Sequence, residues 1–398
     1  MVDDPAALPA GRPGSATVGV LLAVALVARL PMAMLNLALL LLMRELGHSY
    51  AVAGGVAGAS TVALGLAAPR IGRFADAHGA VPVLVATSVA GMACGVAMGA
   101  FPRALGVPGL ALLAVVGGAS SPPVATVFRA AVPRLVAPGE TAKMYSLEAA
   151  CQEMGYVVGP MLVMVLVDTH SARTAVVVCG LLTGLMGVTF AAAMRRHVAP
   201  PAAAPRRGSV MANAALRRLL AAYCLMGGTF GAVEVGAVAA LDHMGDRGAS
   251  GVVLGVWAFG SLVGGLVVPR VWHAPPSVRL PILLGVLAIL GIPLATMGTA
   301  GPAVLGAVLF AHGVAIAPTI GTVYELIPSI VGPEALTEAF SWSIGTVVVG
   351  SAAGMALSGL LTSSLDVRDA LALAIAFPGA AALVRARPRG VPRQRAAG

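Results

Sequence analysis

Residues 118–159 read GASSPPVATVFRAAVPRLVAPGETAKMYSLEAACQEMGYVVG, and residues 313–354 read GVAIAPTIGTVYELIPSIVGPEALTEAFSWSIGTVVVGSAAG. The two stretches superpose at a fixed offset of 195 without a gap. Gly118 falls on Gly313, Pro123 on Pro318, Pro133 on Pro328 and Val136 on Val331. Pro138 then meets Pro333, Ser146 meets Ser341, Gly155 meets Gly350 and Gly159 meets Gly354. A second match runs at an offset of 200, with Val52 on Val252, Gly55 on Gly255, Gly65 on Gly265, and Leu66, Pro69 and Arg70 on Leu266, Pro269 and Arg270. Glycine and proline set backbone shape and close helix approach. Their agreement at fixed spacing predicts two copies of one structural unit. Both copies lie within apolar runs of membrane length.

Composition supports a membrane setting. The chain is 58% hydrophobic and 10% charged, with a mean hydropathy of +0.93. Soluble domains carry about 25% charged residues. The balance of +9 is therefore read as membrane topology, not as a nucleic-acid footprint. Cys94, Cys151, Cys179 and Cys224 each stand alone in an apolar run. No CxxC pair or metal-ligand spacing occurs, so they read as packing residues and no metal is expected. No G-x-x-x-x-G-K-[ST] loop, no H-E-x-x-H and no nucleophile constellation is present, so no cofactor and no enzymatic activity are expected.

A helix needs about 20 apolar residues to cross a bilayer core. Such runs fall at 17–43, 49–69, 81–100, 105–128, 142–167, 173–194, 217–241, 249–269, 280–299, 302–324, 336–362 and 368–384. The predicted fold is all-α and integral to the membrane, with 12 transmembrane helices in two pseudo-symmetric six-helix bundles. The domain reading is an N-terminal tail at 1–16, a first bundle at 17–194, a Pro/Ala/Arg-rich linker at 195–216, a second bundle at 217–384 and a basic tail at 385–398. Ser120-Ser121-Pro122-Pro123 is expected to loosen or kink the fourth span. With the N-terminus inside, the inner segments hold nineteen of the Lys and Arg residues and the outer loops five, with Arg29 in the membrane. The positive-inside rule then places both termini in the cytoplasm.

Local motifs give this architecture a family resemblance. Gly72-Arg-Phe-Ala-Asp76-Ala-His-Gly79 follows the second span. It is similar to the cytoplasmic loop motif G-x-x-x-D-R-x-G-R of the major facilitator superfamily, with Ala77 and Ala80 in place of the usual arginines. Gly155-Tyr-Val-Val-Gly159-Pro160 resembles the G-x-x-x-G-P motif of that superfamily's drug/proton antiporter branch. Met161 and Leu162 stand where the fuller motif has glycines. Tyr145-Ser-Leu-Glu148 with Gln152-Glu153, and Thr337-Glu338-Ala339-Phe340-Ser341-Trp342, look like stretches found in many actinobacterial-type members. The resemblance covers roughly 17–385. It implies a conformational latch at Gly72, Asp76 and Gly79, for which Arg129, Arg134 or the N-terminus of the eleventh helix are the candidate partners of Asp76. It also implies close helix packing at Gly155, Gly159 and Pro160.

Ionisable side chains inside the bilayer cost about 2.5–3.5 kcal/mol on insertion scales, so each needs a reason. Arg29 lies near the middle of the first span, with Asn36 seven residues on and sharing its face. Glu153 lies at about the same depth in the fifth span and is the expected partner of Arg29. Glu148 and Gln152, spaced i,i+4, form a second polar face of that span. Glu234 lies mid-way along the seventh span with Tyr223 on nearly the same face, and His312 mid-way along the tenth. These eight are the candidate substrate-binding or proton-coupling residues, with packing as the alternative role for His312 and a structural ion pair for Arg29 and Glu153. The resemblance implies alternating access in a bacterial cytoplasmic membrane by a monomer. The expected activity is export of a small, partly apolar molecule in exchange for protons; the alternatives are proton-coupled uptake and a non-transporting receptor or scaffold. The expected partners are the lipid bilayer, a small-molecule substrate and protons, with no nucleic acid.

Overall fold

The computed structural model describes the backbone of residues 13–198, 208–246, 249–364 and 366–386, excluding the side chains of residues 50, 51, 138, 153, 154, 156, 157, 363 and 364. Most of the expected N-terminal tail, the middle of the linker and the basic C-terminal tail from 387 onward fall outside the described residues, as does the Glu153 side chain. Among the described residues all regular structure is helical. The helices of the first half are α1 (Ser15–Glu45), α2 (Tyr50–His78), α3 (Ala80–Ala100), α4 (Pro102–Ala119), α5 (Val124–Leu135), α6 (Thr141–Thr169) and α7 (Ala172–Met194). Those of the second half are α8 (Ala214–His243), α9 (Ser250–Val271), α10 (Pro276–Met297), α11 (Pro302–Val314), α12 (Ile316–Leu326), α13 (Leu336–Ser364) and α14 (Val367–Ala386).

Eleven crossings are long and apolar enough to span a membrane, with α4 plus α5 and α11 plus α12 each forming one. Helix α6 supplies a further crossing of 29 residues, about 44 Å at 1.5 Å per residue. Lys143, Glu148, Gln152 and Glu153 make its first half the more polar one, and Val158–Thr169 is an apolar run within its second half.

Three boundaries differ from or refine the sequence reading. The fourth span breaks at 120–123, where Pro122 and Pro123 remove backbone donors and push the preceding residues out of helical geometry. The tenth span also breaks, at Ala315 between α11 and α12. That is where residue 120 falls after a shift of 195. Only Pro318 survives of the two prolines, so the second break left a weaker mark in the sequence. Helix α2 continues to His78, well past the apolar run that ends at 69. The Gly72–Gly79 segment is therefore helical and not a loop. The chain turns only at Gly79, whose φ of 95° lies in the region that favours glycine.

The two halves use the same helix neighbours. In the first, α1 packs on α6 and α7, α3 on α7, and α2 on α4; in the second, α8 packs on α13 and α14, α10 on α14, and α9 on α11. Close glycine contacts repeat as well. A Cβ on Gly118 would meet the Ser60 carbonyl, and one on Gly313 would meet the Trp257 carbonyl and Gly260, the residue that matches Ser60 at an offset of 200. Contacts between halves are paired too, α2 with α13 against α6 with α9, and α5 with α13 against α6 with α12.

Burial is distributed unevenly along the bundle. At the end where α1 begins and α14 finishes, one apolar cluster runs through both halves and includes Val83, Phe128, Leu135 and Tyr145 with Tyr324, Ile327, Leu336 and Phe340. At the opposite end each half keeps its own cluster. One is built on Met34, Leu42, Met98, Leu110 and Val176, the other on Val233, Leu241, Val253, Leu294 and Leu371. The halves are thus sealed together at the terminal end and have separate cores at the other.

Candidate functional site

Four polar side chains meet at the middle of the first bundle. Arg29 comes from α1, Arg129 from the second turn of α5, and Glu148 and Gln152 from successive turns of α6. Arg29 Nη1 donates to Glu148 Oε1 at 2.5 Å and to Gln152 Oε1 at 3.2 Å. Arg129 Nε donates to Glu148 Oε2 at 2.9 Å, and its Nη2 to Gln152 Oε1 at 2.5 Å. The i,i+4 spacing of Glu148 and Gln152 stacks their oxygens on one face, so each accepts from both arginines. Glu148 is fully buried and Arg129 is 1% exposed, while Arg29 retains 11%. Two guanidinium groups thus face one carboxylate. Arg29 Nη2 is buried with no hydrogen-bond partner.

Aromatic rings from the other half close over this cluster. The Arg129 guanidinium lies 4.0 Å from the centre of the Tyr324 ring, a cation–π arrangement. Tyr324 and Tyr223 share a hydrogen bond of 3.0 Å between their hydroxyls. Tyr145 donates to the Arg129 carbonyl at 3.0 Å and packs against Phe340 with ring centres 6.0 Å apart. At the offset of 195, Arg129 corresponds to Tyr324 and Tyr145 to Phe340. Each residue therefore touches its own counterpart, as positions beside a two-fold relation must. The repeat keeps the positions and changes the chemistry: Arg129 of the first half faces Tyr324 of the second, and Tyr145 faces Phe340.

Beside the cluster lies a cavity of about 290 Å³. Arg29, Arg129, Gln152, Tyr223, Tyr324 and Ser341 supply its polar wall, and Leu26, Leu30, Met32, Ile71, Val158, Ile344 and Val348 its apolar wall. Both halves contribute. A smaller cavity of about 220 Å³ shares Arg29, Met32, Leu64 and Ser121 with it and contains Asn36, whose Nδ2 donates to Thr61 Oγ1 at 3.1 Å. Arg29 stands at the boundary of the two.

The sealed terminal end has its own polar lock. Asp76, at the end of α2, accepts from the backbone N–H groups of Thr337 at 3.2 Å and Glu338 at 2.8 Å. These are first-turn donors of α13 with no partner within their own helix, and the helix dipole also favours an anion there. Glu338 in turn accepts from Ser209 Oγ at 3.0 Å and from the Val210 N–H at 3.2 Å. The start of α13 thus gathers α2 of the first half and the distal end of the linker. Gly72 makes the approach possible, since a Cβ there would collide with Ser341 and the Thr337 carbonyl. Arg134 is exposed and lines the same cavity as Asp76.

A sequence profile described as Major Facilitator Superfamily matches residues 21–343. The chain belongs to the major facilitator superfamily. Solved structures of this superfamily's architecture superpose over nearly the whole chain. The human organic anion transporter MFSD10 (TETRAN) aligns with a TM-score of 0.73 at 15% identity, covering 94% of this chain and 100% of its own. A bacterial homologue of the iron transporter ferroportin in an outward-facing state gives 0.73 at 17%, covering 93% and 98%. The transporter FucP in the outward conformation gives 0.67 at 13%, covering 93% and 98%. At these identities the likeness establishes the fold. Among curated protein sequences, none matches the chain. Membership of the superfamily assigns the protein to membrane transport.

Within this superfamily member, several expected residues lie elsewhere or act differently. Arg129, read as a latch partner on the cytoplasmic surface, is buried on Glu148. The apolar run 105–128 stops one residue short of Arg129, so hydropathy alone leaves it outside the span. The carboxylate on Arg29 is Glu148, where Glu153 was expected; the Glu153 side chain lies outside the described residues. Glu234 is exposed in a separate cleft with Val235, Val238, Asp242 and Met355, away from the central cavity. His312 is fully buried, and its Nδ1 accepts from Trp257 Nε1 at 3.2 Å. Gly159 packs against Ala33 and Met34 of α1, but Gly155 has open space beside it and lines the central cavity. Pro160 follows within α6. The sequence patterns do not single out as site residues Tyr324, Ser341 or the pair of Arg279 with the partly exposed Glu325, in which Arg279 also donates to Thr322 Oγ1 at 2.9 Å. Extending the 195-residue shift to the polar positions would have paired Tyr324 with Arg129.

Proposed function

We infer that the chain is a secondary transporter that exports a small, partly apolar molecule in exchange for protons, by alternating access at the central cavity. The observation that carries this reading is a cavity walled by both halves, with a buried Arg29–Glu148–Arg129 cluster at its polar edge. A site shared by two rigid bundles is released to opposite sides as they rock. The excess of Lys and Arg on the inner segments stands with Arg129 removed from the tally, and supports a cytoplasmic terminal end. On that orientation the Asp76 lock closes the cytoplasmic side and the state is outward-facing. One chain supplies both walls, which supports a monomer as the working unit, in a bacterial cytoplasmic membrane.

Glu148 is the group we assign to the coupling proton, taken up when the two arginines move off it. Its carboxylate holds α1 and α5 to α6 through two arginines, so a proton on it loosens three helices at once. The resemblance of Gly155–Pro160 to the drug/proton antiporter motif supports the export direction. Proton symport into the cell is the alternative: both arginines line the cavity, so a proton on Glu148 would free them for the substrate, and proton and substrate would load together.

Everted and right-side-out vesicles containing the protein separate these readings. A panel of labelled amphiphilic acids, amines and neutral analogues is offered with and without a pH gradient. Accumulation in everted vesicles driven by an acidic lumen supports export. Accumulation confined to right-side-out vesicles with acid outside supports symport. No gradient-dependent movement across the panel removes the proton-coupled reading.

A further inference from the structure

We propose that the molecule taken by the central cavity is an amphiphilic anion, whose acidic head is held by Arg29 and whose apolar body lies along the α1, α2, α6 and α13 wall. This rests on the reading that the cavity carries the transported molecule. Three observations point to the charge. Among the described residues lining the cavity, the charged ones are Arg29 and Arg129, and the single carboxylate bonded to them is Glu148. Among the described residues the cluster therefore keeps one positive charge in excess. Arg29 Nη2 is buried without a partner, and an unused charged donor in an apolar bundle is costly unless a ligand meets it. The two arginines also differ. Arg129 is clamped by Glu148, Gln152 and the Tyr324 ring, whereas Arg29 keeps 11% exposure at the junction of the two cavities. A guanidinium with a free N–H edge matches the oxygens of a carboxylate or sulfonate.

The remaining wall sets the rest of the molecule. Leu26, Leu30, Met32, Val158, Ile344 and Val348 offer an apolar surface, and Met32 beside them adapts to irregular shapes. A small inorganic anion would leave this surface bare, and a cation would meet the excess positive charge.

Cys151 lines the same cavity and serves as a reporter of its charge. In full-length protein with Cys94, Cys179 and Cys224 replaced by alanine, its modification is timed with anionic sulfonatoethyl and cationic trimethylammonioethyl methanethiosulfonates. Each rate is normalised to that with 2-mercaptoethanol. The expected result is about a tenfold preference for the anionic reagent, the effect of one excess charge at low dielectric. Arg29→Gln should bring the ratio near one, and Arg29→Lys should restore it. Phenylbutyrate should protect Cys151, while phenylbutylamine and phenylbutyramide should not. Equal rates in the parent would mean that another carboxylate, with Glu153 nearest in sequence, balances the site, and would overturn the assignment. So would a cationic preference, a ratio unmoved by Arg29→Gln in protein that still elutes as a folded species, or protection by the amine and not the acid. Reaction with neither reagent would show that the cavity is closed to solvent, which removes the transport reading along with the ligand class.

Discussion

At the scale of single residues, Glu148 is the position on which the central cluster depends. It is fully buried and bonded to two arginines from two other helices. Replacing it with leucine leaves two guanidinium groups without their counter-charge, a change that costs about 3–5 kcal/mol when a buried pair is broken from one side. Adding Arg129→Met removes one of the stranded charges, so the double variant should recover part of that loss. Denaturant titration of the two singles and the double in detergent measures the coupling; additive losses would show that the contacts carry no shared energy. The transport role separates two carboxylates. Glu148→Gln should abolish transport driven by a pH gradient, while Glu234→Gln, in its separate cleft, should leave uphill transport within about twofold of the parent. Gradient-driven uptake into proteoliposomes decides between them, and loss in Glu234→Gln with retention in Glu148→Gln would reverse the assignment. Much of this was visible in the sequence, because an ionisable residue amid apolar neighbours stands out by its insertion cost. The pairing was not. Glu148 and Glu153 lie about 7.5 Å apart along the helix axis, and hydropathy alone fixes the bounds of a span no more finely than that. Depth in a span also gives no bearing around the axis, and it was the bearing that set Glu148 toward both arginines.

Among the elements, α6 and α13 show how a repeated motif is put to two uses. Gly350 and Gly354 press on the Cys224 and Gly228 carbonyls of α8, leaving no room for a Cβ. Their counterparts on α6 are Gly155 and Gly159, of which only Gly159 packs against α1 and Gly155 borders the cavity. The second half therefore closes its α8–α13 seam where the first half leaves an opening. Gly354→Val should separate α8 from α13 and destabilise the protein by about 1–3 kcal/mol, the usual cost of overpacking. Gly155→Ala should leave thermal stability within about 0.5 kcal/mol, as expected away from tight contacts, and raise the KM of transport by narrowing the cavity. Equal stability of the two variants would deny the asymmetry. The helices themselves were legible as apolar runs, because a bilayer demands a fixed length of them. Their ends were less so. Helix α2 runs past its apolar stretch to His78 since Gly72 and Asp76 are held by α13, and hydropathy carries no record of a partner so distant in the chain. The break at Ala315 was hidden for a related reason: one remaining proline is tolerated inside a membrane helix, and only the repeat shows that this one marks a joint.

Across the whole molecule, the two halves behave as bodies joined at one end. A single apolar cluster crosses between them at the terminal end, and the far end has a separate cluster in each half. Opening the terminal end requires breaking that shared core together with the hydrogen bonds from Asp76 to the start of α13. The apolar part of the seal is reversible because it is non-directional, and the carboxylate adds the geometric element that defines a single closed arrangement. Removing a cap of this kind costs about 1 kcal/mol, which is about a fivefold change in an equilibrium between two states. Asp76→Ala should therefore shift the protein toward the state open at the terminal end. Asp76→Asn should shift it less, since the amide oxygen still accepts a hydrogen bond while the attraction to the helix dipole is lost. The populations can be read by electron–electron distance measurements between spin labels placed on α2 and α13 at the terminal end, in protein freed of its native cysteines. In a companion experiment, cysteines at Asp76 and Thr337 joined by a short bifunctional thiol reagent should stop transport and leave Cys151, retained in that variant, reactive from the opposite side. Cleaving the link should restore transport. If Asp76→Ala leaves the distance distribution unchanged, or if the linked protein still transports, the seal at this end is not the gate, and the rocking motion must be controlled at the α6–α9 contact on the other side of the pseudo-two-fold.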